Sequence, residues 1–358
     1  MVNKWGTFFL LIITLPIMGH VVILPLMLDV AGRDGWISIL LALPFGILFA
    51  WAIYRLRLMH PAPDFMAAFR AQASPWLAVP LRILLVVYLL FLSAYSLACV
   101  ADMVHIAFLP STPLWMLVAW FMLFCFYAII RGVRSIALVG TLLGIFSLVT
   151  GHSVTAMATP RKELSNLLPV LEFGITGPLI GTMVLCSIWI EMLYLLLLPV
   201  ENIREKRTFP LWVAGVLLNG LMMMSTLTGA VMIFGFGQAD EFAYPALETV
   251  RIISLGFVDR FDIYGMMLMS FGCYIRTSLY LRLAFEQMLP GNGDSTRWGK
   301  AVLWLLAVGV AVAAYFLSED HYTMVQTSIV YSWLVFLYPL PFLLLLYANW
   351  KQKRRRFV

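Results

Sequence analysis

At 358 residues the chain is 62% hydrophobic and only 12% charged, with a mean hydropathy of +0.93. Soluble globular domains carry about 25% charged residues, so the composition excludes a soluble domain and predicts a polytopic membrane protein. The basic balance, 24 Lys and Arg against 18 Asp and Glu, matters through its placement in loops, and nucleic acid is not an expected partner. No cleavable signal is read, because the first apolar run lacks a small-residue cleavage site and continues as a full span. Cys99, Cys125, Cys186 and Cys273 each lie inside an apolar segment and are expected to be reduced core residues.

Crossing about 30 Å of hydrocarbon takes about twenty apolar residues. Ten runs qualify, at approximately 5–28, 36–55, 77–101, 113–130, 134–154, 177–200, 210–236, 258–283, 298–317 and 322–348. An even number puts both termini on one side. With that side inside, 17 Lys and Arg fall in inner loops and tails, from Lys4, Arg55 and Arg57 to the five basic residues of the 351–356 tail, and Arg282 is among them. Only 5 fall outside: Arg33, Arg161, Lys162, Arg251 and Arg260. The imbalance predicts cytoplasmic N- and C-termini. The basic tail, 351–358, reads as an anchor on anionic membrane lipid or a surface for a partner.

Two outer connections are longer than the rest. Residues 155–176 include Pro160, Lys162 and Glu172; 238–257 place Leu247, Val250, Ser254 and Phe257 at near-helical spacing, with Glu248 and Arg251 one turn apart. The second predicts an amphipathic helix over the outer mouth. On the inner side Pro61 to Arg70 predicts a short membrane-surface segment, and 290–297 is a Gly-rich turn. The whole chain, 1–358, is therefore a single transmembrane domain.

Broken helices at matching points of two halves point to a transporter-type site. Pro16, Gly19 and Pro25 interrupt the first run, where His20 adds a polar group. The sixth run, five later, opens with Gly174, Gly177, Pro178 and Gly181 and carries Ser187, Trp189 and Glu191. An odd number of spans in each half makes the halves antiparallel. The expectation is an all-α fold of ten transmembrane helices with a LeuT-like 5+5 inverted repeat, at about 5–154 and 177–348, in which spans one and six meet at the midplane.

Four stretches carry a family resemblance: Ile23-Leu-Pro25 with Ala31-Gly-Arg-Asp-Gly-Trp-Ile37; Leu168-Pro-Val-Leu-Glu-Phe-Gly174 with Glu191 and Leu198-Pro199; Tyr244-Pro-Ala-Leu-Glu-Thr-Val-Arg251; and Arg276-Thr-Ser-Leu-Tyr280. In these the sequence resembles the integral-membrane B subunit of GerA-type spore-germination receptors, within the amino acid/polyamine/organocation transporter superfamily. It departs where Ile188, Trp189 and Ile190 precede Glu191, since the family often has small residues there. The resemblance implies a permease-like, LeuT-like bundle in the spore inner membrane. It also implies a small nutrient ligand (amino acid, sugar or nucleoside) and work alongside an A-type subunit and a lipoprotein C-type subunit.

Glu191 is the central candidate, because an unpaired carboxylate in hydrocarbon costs several kcal/mol. Either it meets a ligand's ammonium or gates the site, or it ties span six to a neighbour. Arg276 is a candidate ion-pair partner, or it snorkels to the inner surface. An unwound first span would offer the backbone of Met18, Gly19 and His20 to a ligand. Tyr95 and Cys99 on span three, Ser187 on span six, and Tyr274, Thr277 and Ser278 on span eight are further candidate ligand contacts. Asp102 and His105 stand at the outer end of span three. The Gly140/Gly144 and Gly177/Gly181 pairs predict close helix contacts. The five histidines lack ligand spacing, so no metal or cofactor is expected, and no catalytic motif is present. The expected function is nutrient sensing by a receptor subunit. The alternative is ion-coupled secondary transport of amino acids or similar small solutes, with Glu191 as the coupling group.

Overall fold

A computed structural model describes residues 1–60, 65–253, 261–291 and 296–356. Inside hydrocarbon each backbone N–H and C=O must pair within the chain, and helices achieve this segment by segment. The described residues are accordingly helical, and their only bridge of β type joins Val2 to Val200. The helices are α1 (Lys4–Met18), α2 (Leu24–Ala31), α3 (Gly35–Met59), α4 (Phe65–Gln72), α5 (Pro75–Ala107), α6 (Leu114–Arg131), α7 (Val133–Ala158) and α8 (Thr176–Ile190). They continue with α9 (Tyr194–Leu197), α10 (Thr208–Phe234), α11 (Phe236–Glu241), α12 (Pro245–Arg251), α13 (Asp262–Met288), α14 (Arg297–Leu317), α15 (His321–Ser332) and α16 (Leu340–Arg356).

Among the described residues, 8 helical stretches are long and apolar enough to cross a membrane. The ten apolar runs differ from these for two physical reasons. Lys4–Met59 is one helical stretch of 56 residues holding the first two predicted spans. Gly32, at φ +57, ends α2 in a conformation that a Cβ disfavours. A short 3-10 turn then leads into α3, and both α1 and α3 pack on α10, so the chain doubles back at this glycine. The eighth predicted span, α13, is not among the 8 because Asp262, Arg276, Arg282 and Glu286 lower its hydropathy. It nonetheless packs along α5, α6 and α7 with Arg276 fully buried.

The tenth predicted span is interrupted too. A 3-10 turn over Trp333–Leu337 separates α15 from α16 and rests against α8. Of the two predicted surface segments, the described parts form α4 and α12. Leu247 and Val250 of α12 are buried, and Glu248 pairs with Arg251 at 2.6 Å. Pro61 to Asp64, Ser254, Phe257, Arg260, the middle of the 290–297 turn and the last two residues lie outside the described residues.

Small residues set the helix spacing. A Cβ on Gly144 would come 2.9 Å from the Phe9 carbonyl oxygen, and one on Gly177 would come 2.7 Å from that of Val30. Gly46 lies under the Trp189 ring, whose Cδ2 would be 2.8 Å from such a Cβ. Apolar lipid offers no hydrophobic drive between helices, so close backbone approach of this kind is a main source of packing energy. The N-terminus is tied to the end of the sixth span: Val2 N–H donates to the Pro199 carbonyl at 2.8 Å, Glu201 N–H returns to the Val2 carbonyl at 2.8 Å, and Lys4 pairs with Glu205.

Two arginines counted with the inner loops are buried instead. Arg57 donates to the Leu196 and Leu198 carbonyls at 3.1 and 3.3 Å at the end of α9; the Leu198 carbonyl also accepts from the Val200 N–H at 2.8 Å, so the guanidinium is the side-chain donor that the Leu196 carbonyl finds. Arg282 pairs with Glu286 at 2.8 Å and donates to the Ile129 carbonyl at 3.2 Å, near the end of α6.

Candidate functional site

Both predicted helix interruptions are present in altered form. Pro16 leaves the first span one N–H short yet stays inside α1, and further along a π turn over Gly19–Ile23 joins α1 to α2. Gly19 stays helical at φ -58 and ψ -44, so Met18 to Val21 do not unwind into a gap. Close packing explains this: a Cβ on Gly19 would lie 2.6 Å from the Met223 sulfur and 3.7 Å from Ile188. Gly177 and Gly181 likewise do not break the sixth span, because their bare faces are taken up by Val30 and by Ser38 and Met27. That span changes at Glu191, where a 3-10 turn over Glu191–Leu193 joins α8 to α9.

The tightening sets Glu191 at the centre of a closed polar cluster. Arg276 grips it with two nitrogens: Nη2 donates to Oε1 at 2.8 Å, and Nη1 donates to Oε2. The Tyr280 hydroxyl donates to Oε2 at 3.0 Å, and the Tyr331 hydroxyl donates to Oε1. Arg276 also donates from Nε to Ser96 Oγ at 2.9 Å and from Nη1 to the Thr14 carbonyl at 2.6 Å. All of these side chains are fully buried. A buried ion pair holds only when its geometry is good and its remaining donors and acceptors are met. Here predicted spans one, three, six, eight and ten supply them together.

The other sequence candidates divide around this cluster. Tyr95 shares a hydrogen bond with Ser328 at 2.9 Å, and its ring lies 5.7 Å from that of Tyr331, which places it one layer away from Glu191. Cys99 and Met18 are fully buried. Thr277 and Ser93 exchange hydroxyl-to-carbonyl bonds of 3.3 and 2.9 Å, which clamp α13 to α5. Ser187 is spent within its own helix on the Val184 carbonyl at 2.6 Å. Ser278 is fully buried. Tyr274 is half-buried on another face of α13, where its carbonyl accepts from Cys125 Sγ at 3.9 Å. His20 lines a separate cavity to which Glu191 does not contribute.

Tyr280 and Tyr331 were not legible as partners from the sequence. Tyr280 follows Arg276 by four residues, a same-face spacing that could have found it; Tyr331 carries no local signal. A second missed cluster sits at the far end of α5. Asp102 accepts from the Tyr244 hydroxyl, and His321 Nδ1 lies 2.9 Å from its Oδ2, so three separate segments close on one buried carboxylate. His105 instead reaches the Thr112 carbonyl at 3.1 Å. Beside this cluster Asp240 faces Asp29, and partial burial followed by the neighbouring carboxylate pushes its pKa upward. Among the described residues no group of His, Cys, Asp and Glu gathers as a metal would require.

The stretches that carry the family resemblance meet in space. Asp34 accepts from the Leu171 N–H at 3.1 and 3.0 Å through its two oxygens, and Arg33 lies 3.4 Å from Glu172 and donates to the Leu168 carbonyl. Tyr244 is bound to Asp102, and Arg276 and Tyr280 are bound to Glu191.

Comparison with known proteins finds relatives along most of the chain. The profile of a family described as spore germination protein matches residues 1–288. The chain is 29% identical over 285 residues to spore germination protein XB of Bacillus anthracis, covering 79% of each chain. It is 23% identical over 340 residues to spore germination protein KB of Bacillus subtilis (strain 168), covering 91% of this chain and 90% of the relative. Spore germination protein GerQB of Bacillus cereus is 24% identical over 241 residues, 64% of each chain. With four-fifths of its length matched by that profile, the chain belongs to the spore germination protein family.

Proposed function

We propose that the chain is the nutrient-sensing membrane subunit, of B type, in a spore germination receptor. It would lie in the spore inner membrane with both termini cytoplasmic, as ten spans in a LeuT-like 5+5 repeat, and signal to an A-type and a lipoprotein C-type subunit. A small nutrient (amino acid, sugar or nucleoside) would bind near the midplane between spans one, three, six and eight. The relatives' names support the germination role, and the inner-loop excess of Lys and Arg supports the orientation.

The observation that carries the reading is the Glu191–Arg276 cluster. It joins five predicted spans beside the two helix irregularities, so any shift of span six against span eight must break or rebuild it. Such a cluster suits a two-state element. A ligand acts on it only through differential affinity: moving a population from 1:99 to 99:1 takes about 10⁴-fold, or about 5.5 kcal/mol.

The second reading, ion-coupled transport, draws on the two tyrosine hydroxyls on Glu191, which offer a coupling ion an exchangeable set of donors. Reconstitution separates the two. Proteoliposomes holding the purified chain are expected to bind labelled nutrient without accumulating it under a proton or sodium gradient. Robust gradient-driven accumulation would overturn the receptor-only reading.

A further inference from the structure

A cavity of about 100 Å³ lies between α1, α7, α10, α12 and α13, separate from the Glu191 cluster. The three helices along its length run side by side in one direction: Gly144 of α7 abuts Phe9 of α1, Asn219 of α10 donates to the Leu11 carbonyl, and Gly19 abuts Met223. Its walls extend from Ser147 to Ala158 on α7 and from Met222 to Ile233 on α10. At 1.5 Å of rise per residue, either wall is roughly 16 Å long. Spread along that length, the volume open to the centre of a water-sized sphere is about 6 Å² in cross-section, and adding the sphere's own radius of about 1.4 Å leaves a passage about 5–6 Å across, one hydrocarbon chain wide.

The lining is graded. One half is largely apolar, formed by α1 from Ile12 to Ile17 with Met269 opposite, and its wall on α7 starts at Ser147, whose hydroxyl is buried without a hydrogen-bond partner. The other half holds Lys162 at its end, the Thr155 and Ser225 hydroxyls joined at 2.9 Å, and His20, whose Nε2 is buried without a hydrogen-bond partner although the ring meets the Met222 backbone. Lys162 Nζ would lie 4.0 Å from a Cβ on Gly229, which sets the ammonium over the cavity. The described residues that line it include no Asp or Glu, and among the described residues no carboxylate lies within ion-pair distance of Lys162. Burial lowers the Lys162 pKa, as expected of a cation lacking a counter-charge.

We propose that this cavity is a binding site for a single unbranched apolar chain bearing one carboxylate or similar anionic head. The head pairs with Lys162 and reaches the His20 and Thr155–Ser225 hydrogen-bonding groups, and the chain lies along α1. A zwitterion fits poorly, because its ammonium finds no acid there. The same chemistry is available from a free medium-chain carboxylate or from one tail of an anionic membrane lipid. The site does not depend on the receptor reading, but its occupant would touch the face of α1 opposite the one that Arg276 holds through Thr14.

The test is equilibrium dialysis of labelled octanoate against the purified full chain in nanodiscs of zwitterionic lipid, with empty discs subtracted. One saturable site per chain is expected, with octanol binding at least tenfold more weakly. Lys162→Met should weaken octanoate at least tenfold, and Arg161→Gln, an exposed neighbour, should not. Gly151→Leu should block the passage, since a Cβ there meets nothing nearer than Met222 Cε at 3.9 Å and so extends into open space. Loss of octanoate binding in phosphatidylglycerol discs would uphold the site and assign it to lipid; retention would assign it to the free solute. Equal binding of octanol and octanoate, or octanoate binding unchanged in the properly folded Lys162→Met protein, would overturn the proposal.

Discussion

Arg276 holds Glu191 through two guanidinium nitrogens while its third nitrogen holds Ser96, so one side chain of α13 fixes the turn of the sixth span against α5. Because both charges are fully buried, neither is stable without the other. Glu191→Leu and Arg276→Leu are each expected to destabilise the protein by about 3–5 kcal/mol, and the double leucine variant by clearly less than their sum. Thermal unfolding of the purified variants in one detergent checks this; additive losses would show that the two residues do not act as a pair.

Arg57 should behave as a cap rather than as a topological charge. Its guanidinium serves two carbonyls at the end of α9, of which that of Leu198 keeps the Val200 N–H as a second donor, and leaving the buried Leu196 acceptor unmet costs about 1–3 kcal/mol. Arg57→Met is therefore expected to lower the unfolding midpoint sharply, with Arg57→Lys recovering only part of the loss because a point ammonium cannot reproduce the fork. Equal stability of the methionine variant would refute the capping role.

Gly177 and Gly237 make a matched comparison. Gly177→Ala would place a methyl 2.7 Å from the Val30 carbonyl, whereas Gly237→Ala meets nothing within 4 Å. The first is expected to destabilise by about 1–3 kcal/mol through overpacking. The second should be neutral, or stabilising by up to about 1 kcal/mol through the unfolded chain. Midpoints in the reverse order would contradict the close α2–α8 contact.

Asp240 supplies a pH dependence. Burial and Asp29 raise its pKa above the ordinary 3.8, so the folded protein holds this proton more tightly than the unfolded chain. Its penalty is absent below that ordinary value and grows as pH rises through the folded value. Asp240→Asn should accordingly raise the unfolding midpoint at pH near 7, with the gain shrinking toward pH 4. A gain that grows on acidification would contradict the Asp29–Asp240 repulsion.

Much of the helical framework can be read from the sequence because hydrocarbon demands it: a run of twenty apolar residues has few ways to satisfy its backbone other than a helix. Glu191 and Arg276 stood out for the same reason, as charges that such runs cannot carry alone. Their remaining partners did not. Tyr331 lies 140 positions from Glu191 in the chain, and a tyrosine in an apolar run reads equally as a core or an interfacial residue. The forms of the helix breaks were hidden as well. Proline and glycine mark where a helix is weak, but whether Gly19 opens or packs depends on Met223, a residue two hundred positions away. Arg57 misled for a related reason: its position beside an apolar run fits an inner-loop charge, and only the nearby end of the sixth span turns it into a cap.

The proposed membership of the buried Glu191 cluster in the nutrient-sensing element requires that breaking the cluster slow the response to nutrient. The most direct measurement is the rate at which spores lose refractility after nutrient addition when Glu191→Gln is their only copy of this subunit, with its level matched to wild type by immunoblot. At least a tenfold slower response to the subunit's nutrient, with other germination triggers unaffected, is the predicted result. A wild-type rate at matched subunit level would contradict it.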